Sequence, residues 1–332
     1  MKICIYGAGA VGGHFAARLG RTDAEVSVIA RGAHLDAIKR DGLTLKIGEE
    51  SIHSTPIATA EPRDLGPQDV VITTVKSHSL PMIVDGLKAL VGPDTTVVYA
   101  ANGIPWWYYY GKSGADADQA LPALDPGNQL RDAIGLSKIA GGVIYSANEV
   151  VAPGQIVNRS VKRNRLVLGT VDGSPSDGLL KLSAALAAAG IDAPVSADIR
   201  TEVWRKFLIG NMTLSLLATL LEASTDIVVS DADVQKIAIS MASEGKALAG
   251  KLGVALDDLD IQKALAPESL PKGNRPSMLQ DFQLGRPMEI DAFITVVLEM
   301  AKRAGVAMPV YSVVANLVKH RAGIAGLYQP GA

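Results

Sequence analysis

The chain has 332 residues, of which 48% are hydrophobic and 20% charged, and its formal net charge is -2. A chain of this length is too long for a single small hydrophobic core, so two domains of ordinary size are expected. The balanced charge argues against nucleic acid or a membrane as a partner. The single cysteine, Cys4, excludes an intrachain disulfide framework or a thiolate metal site.

The opening sequence MKICIYGAGAVGG passes from one short apolar run directly into a glycine-rich turn, which is unlike a secretory signal peptide. The apolar stretches are shorter than the roughly 18 to 20 residues that cross a bilayer, or are broken by charge and glycine. We therefore expect a cytoplasmic protein.

Up to about Val195, short runs rich in Val and Ile alternate with longer amphipathic segments, which is typical of parallel strands joined by crossover helices. The predicted strands are Lys2 to Tyr6, Glu25 to Ile29, Asp69 to Thr74, Thr95 to Ala100, Lys138 to Tyr145 and Arg165 to Gly169. The predicted helices are Ala10 to Leu19, Ala33 to Asp41, Ser79 to Leu90 and Ser176 to Ala188. This pattern predicts an α/β fold with an N-terminal Rossmann-type doubly wound parallel sheet over residues 1–197.

After about Asp198 the strand signal nearly vanishes, and the pattern predicts an all-helical C-terminal domain over residues 198–332. Its predicted helices are Thr201 to Leu221, Asp231 to Leu252, Pro276 to Leu284, Ile290 to Ala304 and Val310 to His320. Residues 104–129 form a long predicted loop that carries two tryptophans and three tyrosines. Its aromatic part, Pro105 to Tyr110, has two open interpretations: substrate contact or packing against the sheet.

A glycine-rich turn follows the first strand and opens the first helix, which is the context of a dinucleotide-binding site. Its residues are Gly7, Ala8, Gly9, Ala10, Val11 and Gly12. The first glycine permits a tight turn, the second lets the backbone approach a pyrophosphate, and the third lets helix and strand pack closely. The helix N-terminus supplies N–H groups for the anion.

The end of the second strand indicates which dinucleotide binds. An NAD site has an acidic residue there for the ribose 2'-hydroxyl, whereas this chain has Ile29, Ala30 and Arg31. A guanidinium can bind a 2'-phosphate through two hydrogen bonds. We therefore predict NADP(H) as the cofactor, with Arg31 as a plain surface charge as the alternative.

Two further polar residues follow predicted strands. Lys76 comes after VVITTV, and Asn102 comes after TVVYAA. Ligands of open α/β sheets bind at the carboxyl ends of the strands. Both residues are therefore candidates for a ligand site, with a solvated lysine and a common Asn-Gly turn as the alternative.

The chain resembles the ketopantoate reductase family, also called 2-dehydropantoate 2-reductase, over nearly its whole length. The matching segments are GAGAVG at the start, TVKS around Lys76, ANG around Asn102, EVWRKF around Lys206, and NRPSMLQDFQLGRPMEID over residues 274–291. The last segment is the most specific, because it places Ser277 twelve residues before Glu289 within a long shared pattern.

The resemblance implies a role for each matched position. It implies that Lys206 is the general acid, that Asn102 and Lys76 lie near nicotinamide and substrate, that Ser277 contacts the substrate and that Glu289 contacts the cofactor. The implied reaction is reduction of a 2-oxo acid, first of all ketopantoate, by NADPH in pantothenate biosynthesis. The chemistry is reasonable, since an ammonium can stabilise the negative charge that hydride transfer leaves on oxygen and can donate its proton.

One departure from the family concerns the helix after Lys206. The family has asparagines four and eight residues after the lysine, whereas this chain has Gly210 and Leu214 there, and Asn211 and Ser215 one residue later. One residue rotates a side chain by about 100 degrees in a regular helix. We therefore predict a π-bulge or a loosened turn between Lys206 and Asn211 that restores Asn211 and Ser215 as substrate contacts.

Two alternatives to a ketopantoate reductase stay open on the sequence alone. The altered residues Asn211 and Ser215 are compatible with a related reductase of another carbonyl compound. A protein that binds NADP(H) without catalysis is the second alternative. The apolar faces of the last helices are compatible with an intrachain core or with a homodimer. The histidines show no grouping that predicts a metal site.

Overall fold

The computed structural model describes residues 1–161 and 163–330. The backbone forms two compact units. The first consists of Met1–Ala101 and Trp106–Ile199, and the second consists of Asn102–Pro105 and the chain from Arg200 onward. The short segment Asn102–Pro105 therefore belongs to the helical unit, although it follows a strand of the first unit.

The first unit is built on a seven-stranded sheet with the order β11-β8-β7-β6-β1-β2-β5. These strands are β1 (Lys2–Tyr6), β2 (Glu25–Ile29), β5 (Ile57–Thr59), β6 (Gln68–Thr73), β7 (Val91–Tyr99), β8 (Ile139–Tyr145) and β11 (Arg165–Thr170). All neighbours pair in parallel except β11, which runs antiparallel to β8. The prediction of a parallel sheet is thus confirmed except at this edge, where a hairpin and not a crossover helix precedes the strand.

The described residues of this unit form five α-helices: α1 (Ala10–Leu19), α2 (Gly32–Asp41), α3 (Val84–Leu90), α4 (Gln129–Ile134) and α5 (Asp177–Ala188). The helix predicted from Ser79 is wrong at its start, because two 3-10 turns, Ser77–Ser79 and Pro81–Ile83, precede α3. Pro81 has no N–H to donate and restricts the residue before it, so the α-helix begins only after it.

A second sheet was not predicted. It has the order β4-β3-β10-β9, formed by β3 (Leu43–Ile47), β4 (Glu50–Ser54), β9 (Asn148–Ala152) and β10 (Gln155–Asn158). A Cβ added at Gly13 of α1 would lie 2.8 Å from the Ile156 side chain, so this sheet packs closely on α1. The strands are four or five residues long, and alternation over so few residues is a weak signal.

The aromatic segment after β7 is buried in the first unit. The rings of Trp106 and Tyr99 meet edge to face with centroids 5.1 Å apart. A Cβ on Gly141 of β8 would lie 2.5 Å from the Trp107 ring, so the indole packs directly on the sheet. Trp106, Trp107 and the three following tyrosines are all at most 5% exposed. The structure therefore favours packing against the sheet over the alternative of a substrate-contacting wall.

The described residues of the second unit form helices and connecting segments, with no strand among them. Its α-helices are α6 (Ile199–Lys206), α7 (Leu216–Leu221), α8 (Thr225–Val228), α9 (Ala232–Lys251), α10 (Ile261–Ala264), α11 (Ser277–Gln283), α12 (Val296–Ala304) and α13 (Pro309–Ile324). Two π-helical segments interrupt them: Phe207–Ser215 joins α6 to α7, and Asp291–Thr295 leads into α12. Over the described residues, none of the helices has the length and apolar character that a membrane span requires.

Candidate active site

The turn Gly7–Gly12, called the glycine loop below, joins β1 to α1 and is held by its backbone. Gly7 has φ +100°, a conformation that favours glycine, and its N–H and that of Ala8 both donate to Ile29 O, at 3.1 and 3.0 Å. A Cβ on Gly12 would overlap Gly7 O and Thr74 Oγ1. Close approach of helix and strand therefore requires glycine at both ends of the loop.

The middle of the glycine loop faces open space. A Cβ built on Gly9 would meet no protein atom within 4 Å, in contrast to Gly7 and Gly12. The first N–H groups of α1, which starts at Ala10 after Gly9, have no carbonyl of their own helix to bind. Open space beside unpaired N–H groups and a positive helix end fits a phosphate.

The Thr74 hydroxyl holds the glycine loop from the neighbouring strand. Its Oγ1 donates to Gly7 O at 2.5 Å, and the Thr74 N–H donates to Tyr6 O at 2.9 Å. Thr74 was not among the predicted site residues, although it opens the TVKS segment and lies two positions before Lys76. Its position at the last predicted residue of a strand is the signal that could have identified it.

Arg31 and Lys76 follow the two strands that flank β1. Arg31 is the exposed residue that precedes α2, two positions after β2 ends. Burial raises the pKa of Tyr6 at the end of β1, and the charge of Arg31 opposes that rise, so the guanidinium lies near this end of the sheet. Lys76 is half-buried three residues after β6 and precedes a 3-10 turn. The structure thus brings both residues to the sheet edge that carries the glycine loop.

In the helical unit, Lys206 and Asn102 are joined directly. The half-buried Lys206 ends α6, and its Nζ donates to Asn102 Oδ1 at 2.6 Å. Asn102 lies 104 positions away in the sequence. One ammonium proton is therefore directed by the amide oxygen, which fixes the position of the charged nitrogen.

The second π-helical segment positions both residues. The Phe207 ring, next to Lys206, meets the Phe293 ring with centroids 5.9 Å apart. The Ile104 N–H donates to Ala292 O at 2.9 Å, and a Cβ on Gly103 would lie 2.7 Å from the Ala292 side chain. Gly103 also has φ +88°. The residues that flank Lys206 and Asn102 therefore pack on one short stretch of backbone.

The predicted bulge after Lys206 is confirmed as a nine-residue π-helix, Phe207–Ser215. The Thr213 hydroxyl donates to Leu208 O, five residues earlier, at 2.8 Å. Since a π-helix bonds residues five apart, Lys206 and Asn211 share a face that a regular α-helix would separate. Asn211 is half-buried, whereas Ser215 is 1% exposed.

The buried Oγ of Ser215 has no hydrogen-bond partner within the described part of the chain, as is also true of the buried hydroxyls of Ser54 and Thr170. Buried hydroxyls are nearly always paired, so an unpaired one requires an explanation such as a ligand or water. The backbone oxygen of Ser215 accepts from Thr219 Oγ1 at 2.7 Å, so only the side chain is unpaired.

The two remaining predicted residues differ in burial. Glu289 is 8% exposed and stands two residues before the second π-helical segment. Ser277 is exposed at the first position of α11. Both belong to the helical unit with Lys206, Asn102, Asn211 and Ser215. The glycine loop, Arg31 and Lys76 belong to the first unit.

Comparisons with known proteins agree over the full length. A family model described as ketopantoate reductase PanE/ApbA matches residues 3–173, and one described as its C-terminal part matches residues 198–322. A 2-dehydropantoate 2-reductase of Mesorhizobium japonicum is 39% identical over 333 positions, which cover 99% of this chain and all of the relative.

Solved structures with the same fold include two of interest. A ketopantoate reductase structure from Ralstonia solanacearum MolK2 superposes with a TM-score of 0.89 at 35% identity, and the match covers 98% of this chain and 99% of that one. A ternary structure of D-mandelate dehydrogenase with NADH and anilino(oxo)acetate has a TM-score of 0.82 at 22% identity and covers 99% and 100%. At that identity the likeness concerns the fold alone.

Proposed function

Because the chain belongs to the ketopantoate reductase family, we propose that it is an NADPH-dependent oxidoreductase that reduces the ketone of a 2-oxo acid to a hydroxyl group. Ketopantoate, reduced to pantoate in pantothenate biosynthesis, is the first candidate substrate. The hydrogen bond of 2.6 Å between Lys206 Nζ and Asn102 Oδ1 carries the proposal, since it fixes a proton donor of the required kind.

The cofactor residues proposed in the first unit are the glycine loop, Arg31 and Lys76. The N–H groups at the start of α1 suit the pyrophosphate, and the open space at Gly9 leaves room for it. Arg31 is proposed to bind the 2'-phosphate, because β2 is not followed by the carboxylate that would select NAD. From the helical unit, we propose Asn102 and Glu289 as further cofactor contacts.

Lys206 is proposed as the general acid. Bound NADPH supplies the hydride to the ketone carbon, which leaves an electron pair and negative charge on the oxygen. The Lys206 ammonium stabilises that charge and transfers its proton to the oxygen. Asn102 accepts one N–H of Lys206 and so orients the ammonium group.

The substrate is proposed to contact Asn102, Asn211, Ser215 and Ser277. The π-helix places Asn211 on the Lys206 face, and the unpaired Ser215 hydroxyl is available to bind a polar group. A serine is shorter than asparagine and offers a hydroxyl in place of an amide. This difference favours a second candidate, a reductase of a related 2-oxo acid with another side chain.

We also propose a cytoplasmic location and leave room for a homodimer. Cys4 is the single cysteine of the sequence and is buried, so the chain forms no intrachain disulfide, as is usual for proteins of a reducing compartment. Val313 and Leu317, one turn apart on α13, are more than half exposed, and a second copy of the chain is one partner that would bury them.

The experiment that tests the function follows NADPH oxidation with ketopantoate and a panel of 2-oxo acids. Wild type is expected to turn over at least one of them. Lys206→Met is expected to lower kcat by about 100- to 10,000-fold while NADPH binds normally, because it removes the proton donor and keeps the chain length. Lys236→Met, at an exposed lysine of α9, is the matched control and is expected to behave as wild type.

Two outcomes would contradict the proposal. A lack of turnover with every 2-oxo acid, despite tight NADPH binding, would favour the non-catalytic alternative. Full activity of Lys206→Met would show that another group donates the proton. The relative rates across the panel distinguish ketopantoate from a substrate with a different side chain.

A further inference from the structure

His34, which has no assigned role above, bridges the glycine loop to a distant turn. It lies in the first turn of α2 and is half-buried. Its Nε2 lies 2.7 Å from Ala8 O, and the Gly154 N–H donates to its Nδ1 at 3.1 Å. A carbonyl oxygen only accepts and a backbone amide only donates. The imidazole is therefore neutral in this arrangement, with its hydrogen on Nε2, and it donates to Ala8 O.

This hydrogen bond fixes the orientation of one peptide group in the glycine loop. The Ala8 carbonyl and the Gly9 N–H belong to the same planar, trans peptide, so they point in opposite directions. With its oxygen held by His34, the peptide directs the Gly9 N–H away from the imidazole. Gly9 is the loop residue beside open space.

The preceding peptide is fixed independently. This peptide joins Gly7 to Ala8. Thr74 Oγ1 donates to Gly7 O, and the Ala8 N–H donates to Ile29 O. The two peptides between Gly7 and Gly9 therefore each have an oxygen held by a side chain. Without His34, the Ala8 carbonyl would lose the one side-chain donor that it has among the described residues.

The other end of the bridge is also held firmly. Gly154 lies in the turn between β9 and β10 and has φ +75°. Its carbonyl accepts from the Thr44 N–H of β3 at 2.9 Å, and a Cβ there would lie 3.3 Å from Ala37 of α2. The second sheet thus provides a fixed point against which His34 is oriented.

We propose that His34 is a positioning residue of the cofactor site, which aligns the Gly9 N–H for the pyrophosphate by holding Ala8 O. The inference rests on the proposed binding of NADPH at the glycine loop. It also gives the second sheet a function, since the Gly154 amide selects the ring tautomer that can donate to the loop. His34 does not touch the reacting atoms and is not a catalytic residue.

Two substitutions test the two hydrogen bonds of His34 separately. The amide oxygen of His34→Asn occupies roughly the position of Nδ1, so it keeps an acceptor for Gly154 and loses the donor to Ala8. The amide nitrogen of His34→Gln reaches roughly the position of Nε2 and keeps that donor. We expect the Kd of NADPH to rise about three- to tenfold in His34→Asn and to stay within about twofold in His34→Gln.

The measurement is a fluorescence titration of the whole protein with NADPH, accompanied by steady-state kinetics and thermal melting. In His34→Asn, the KM of NADPH is expected to rise, while kcat at saturating NADPH and the KM of the 2-oxo acid stay unchanged. Thr74→Val, which removes the donor to Gly7 O, is expected to raise the Kd by a similar factor. His320→Asn, at an exposed histidine of α13, is the control.

The outcomes distinguish the inference from the function on which it rests. Failure of wild type to bind NADPH would overturn the proposed cofactor site and this inference with it. If wild type binds and the two His34 variants have equal affinity, His34 does not position the loop. If His34 had only a structural role, His34→Asn and His34→Gln would lower the melting temperature by similar amounts and would have the same Kd for NADPH. That result would also overturn the inference.

Discussion

The glycine loop and the helix after Lys206 use the backbone in opposite ways. The loop depends on residues without side chains, because a Cβ at Gly12 would overlap Gly7 O and Thr74 Oγ1. The helix depends on side chains, Lys206 and Asn211, whose common face is provided by a π-helix. At Gly7 and Gly12 such a loop tolerates no added atom, because a Cβ there would meet Val75 or the Gly7 carbonyl. A helix of the second kind accepts an added residue if the backbone absorbs it locally.

The largest expected effect on this comparison comes from Gly12→Ala. The added methyl group meets backbone, which cannot move without opening the turn, so we expect a loss of about 3 kcal/mol in the free energy of unfolding and no measurable NADPH binding. Gly250→Ala, in α9, is the matched control, because its Cβ would meet nothing within 4 Å. It is expected to keep binding and to be at least as stable as wild type.

Chemical denaturation and an NADPH titration of both variants provide the test. If Gly12→Ala binds NADPH as wild type does, close packing at this position is not what makes the loop competent. If only stability falls, the loop and the cofactor are less tightly coupled than the geometry indicates.

The difference between the two regions also explains what the sequence could predict. The glycine loop is a local consequence of backbone sterics, so GAGAVG after an apolar strand predicted both β1 and α1 with the bounds observed. The bulge was predictable as well, but only through the family resemblance. The resemblance places an asparagine four residues after the lysine, and in this chain Gly210 is there and Asn211 follows it. The sequence then indicated one surplus residue, and the π-helix is where it is absorbed.

Long-range contacts could not be predicted in this way. His34 and Gly154 are 120 residues apart, and nothing in either local pattern indicates that they meet. Buried aromatic residues after β7 were equally ambiguous, because Trp and Tyr suit a ligand wall as well as a core. The second sheet escaped prediction since its strands are short and pair across a separation of roughly a hundred residues, between β3 and β10.

A second prediction concerns a variant that lacks the surplus residue of the π-helix. Deletion of Gly210 places Asn211 four and Ser215 eight positions after Lys206, as in the spacing that the family resemblance implies. A regular α-helix would then present the same residues on the same face. We expect a folded protein whose kcat/KM stays within about tenfold of wild type, equivalent to about 1.4 kcal/mol.

Deletion of Ser240 in the regular helix α9 is the control. It would rotate the buried residues that follow, including Met241 and Leu248, by about 100 degrees away from the core, so we expect no folded protein. Circular dichroism and activity measurements compare the two deletions. If the Gly210 deletion unfolds the protein as the Ser240 deletion does, the π-helix is required for packing and does not merely accommodate an extra residue.

The smallest expected effect concerns the buried back of α1, the helix that the glycine loop opens. His14 is completely buried, and burial, assisted by the charge of Arg18, lowers its pKa to about 3. Its Nδ1 lies 3.4 Å from Asn158 Nδ2 of β10. Above pH 6.5 the imidazole is neutral in both the folded and the unfolded chain, so its ionisation has no effect on stability there.

Below pH 6.5 His14 is protonated in the unfolded chain but stays neutral in the folded chain. The free energy of unfolding therefore falls as the pH decreases, until about pH 3. At pH 5 the loss is expected to be about 2 kcal/mol. Urea unfolding of wild type and His14→Asn between pH 7 and 5 measures it, because asparagine keeps an acceptor for Asn158 and does not titrate. Equal pH slopes for the two proteins would mean that His14 gains a proton without unfolding, and that the second sheet packs less tightly on α1 than the structure shows.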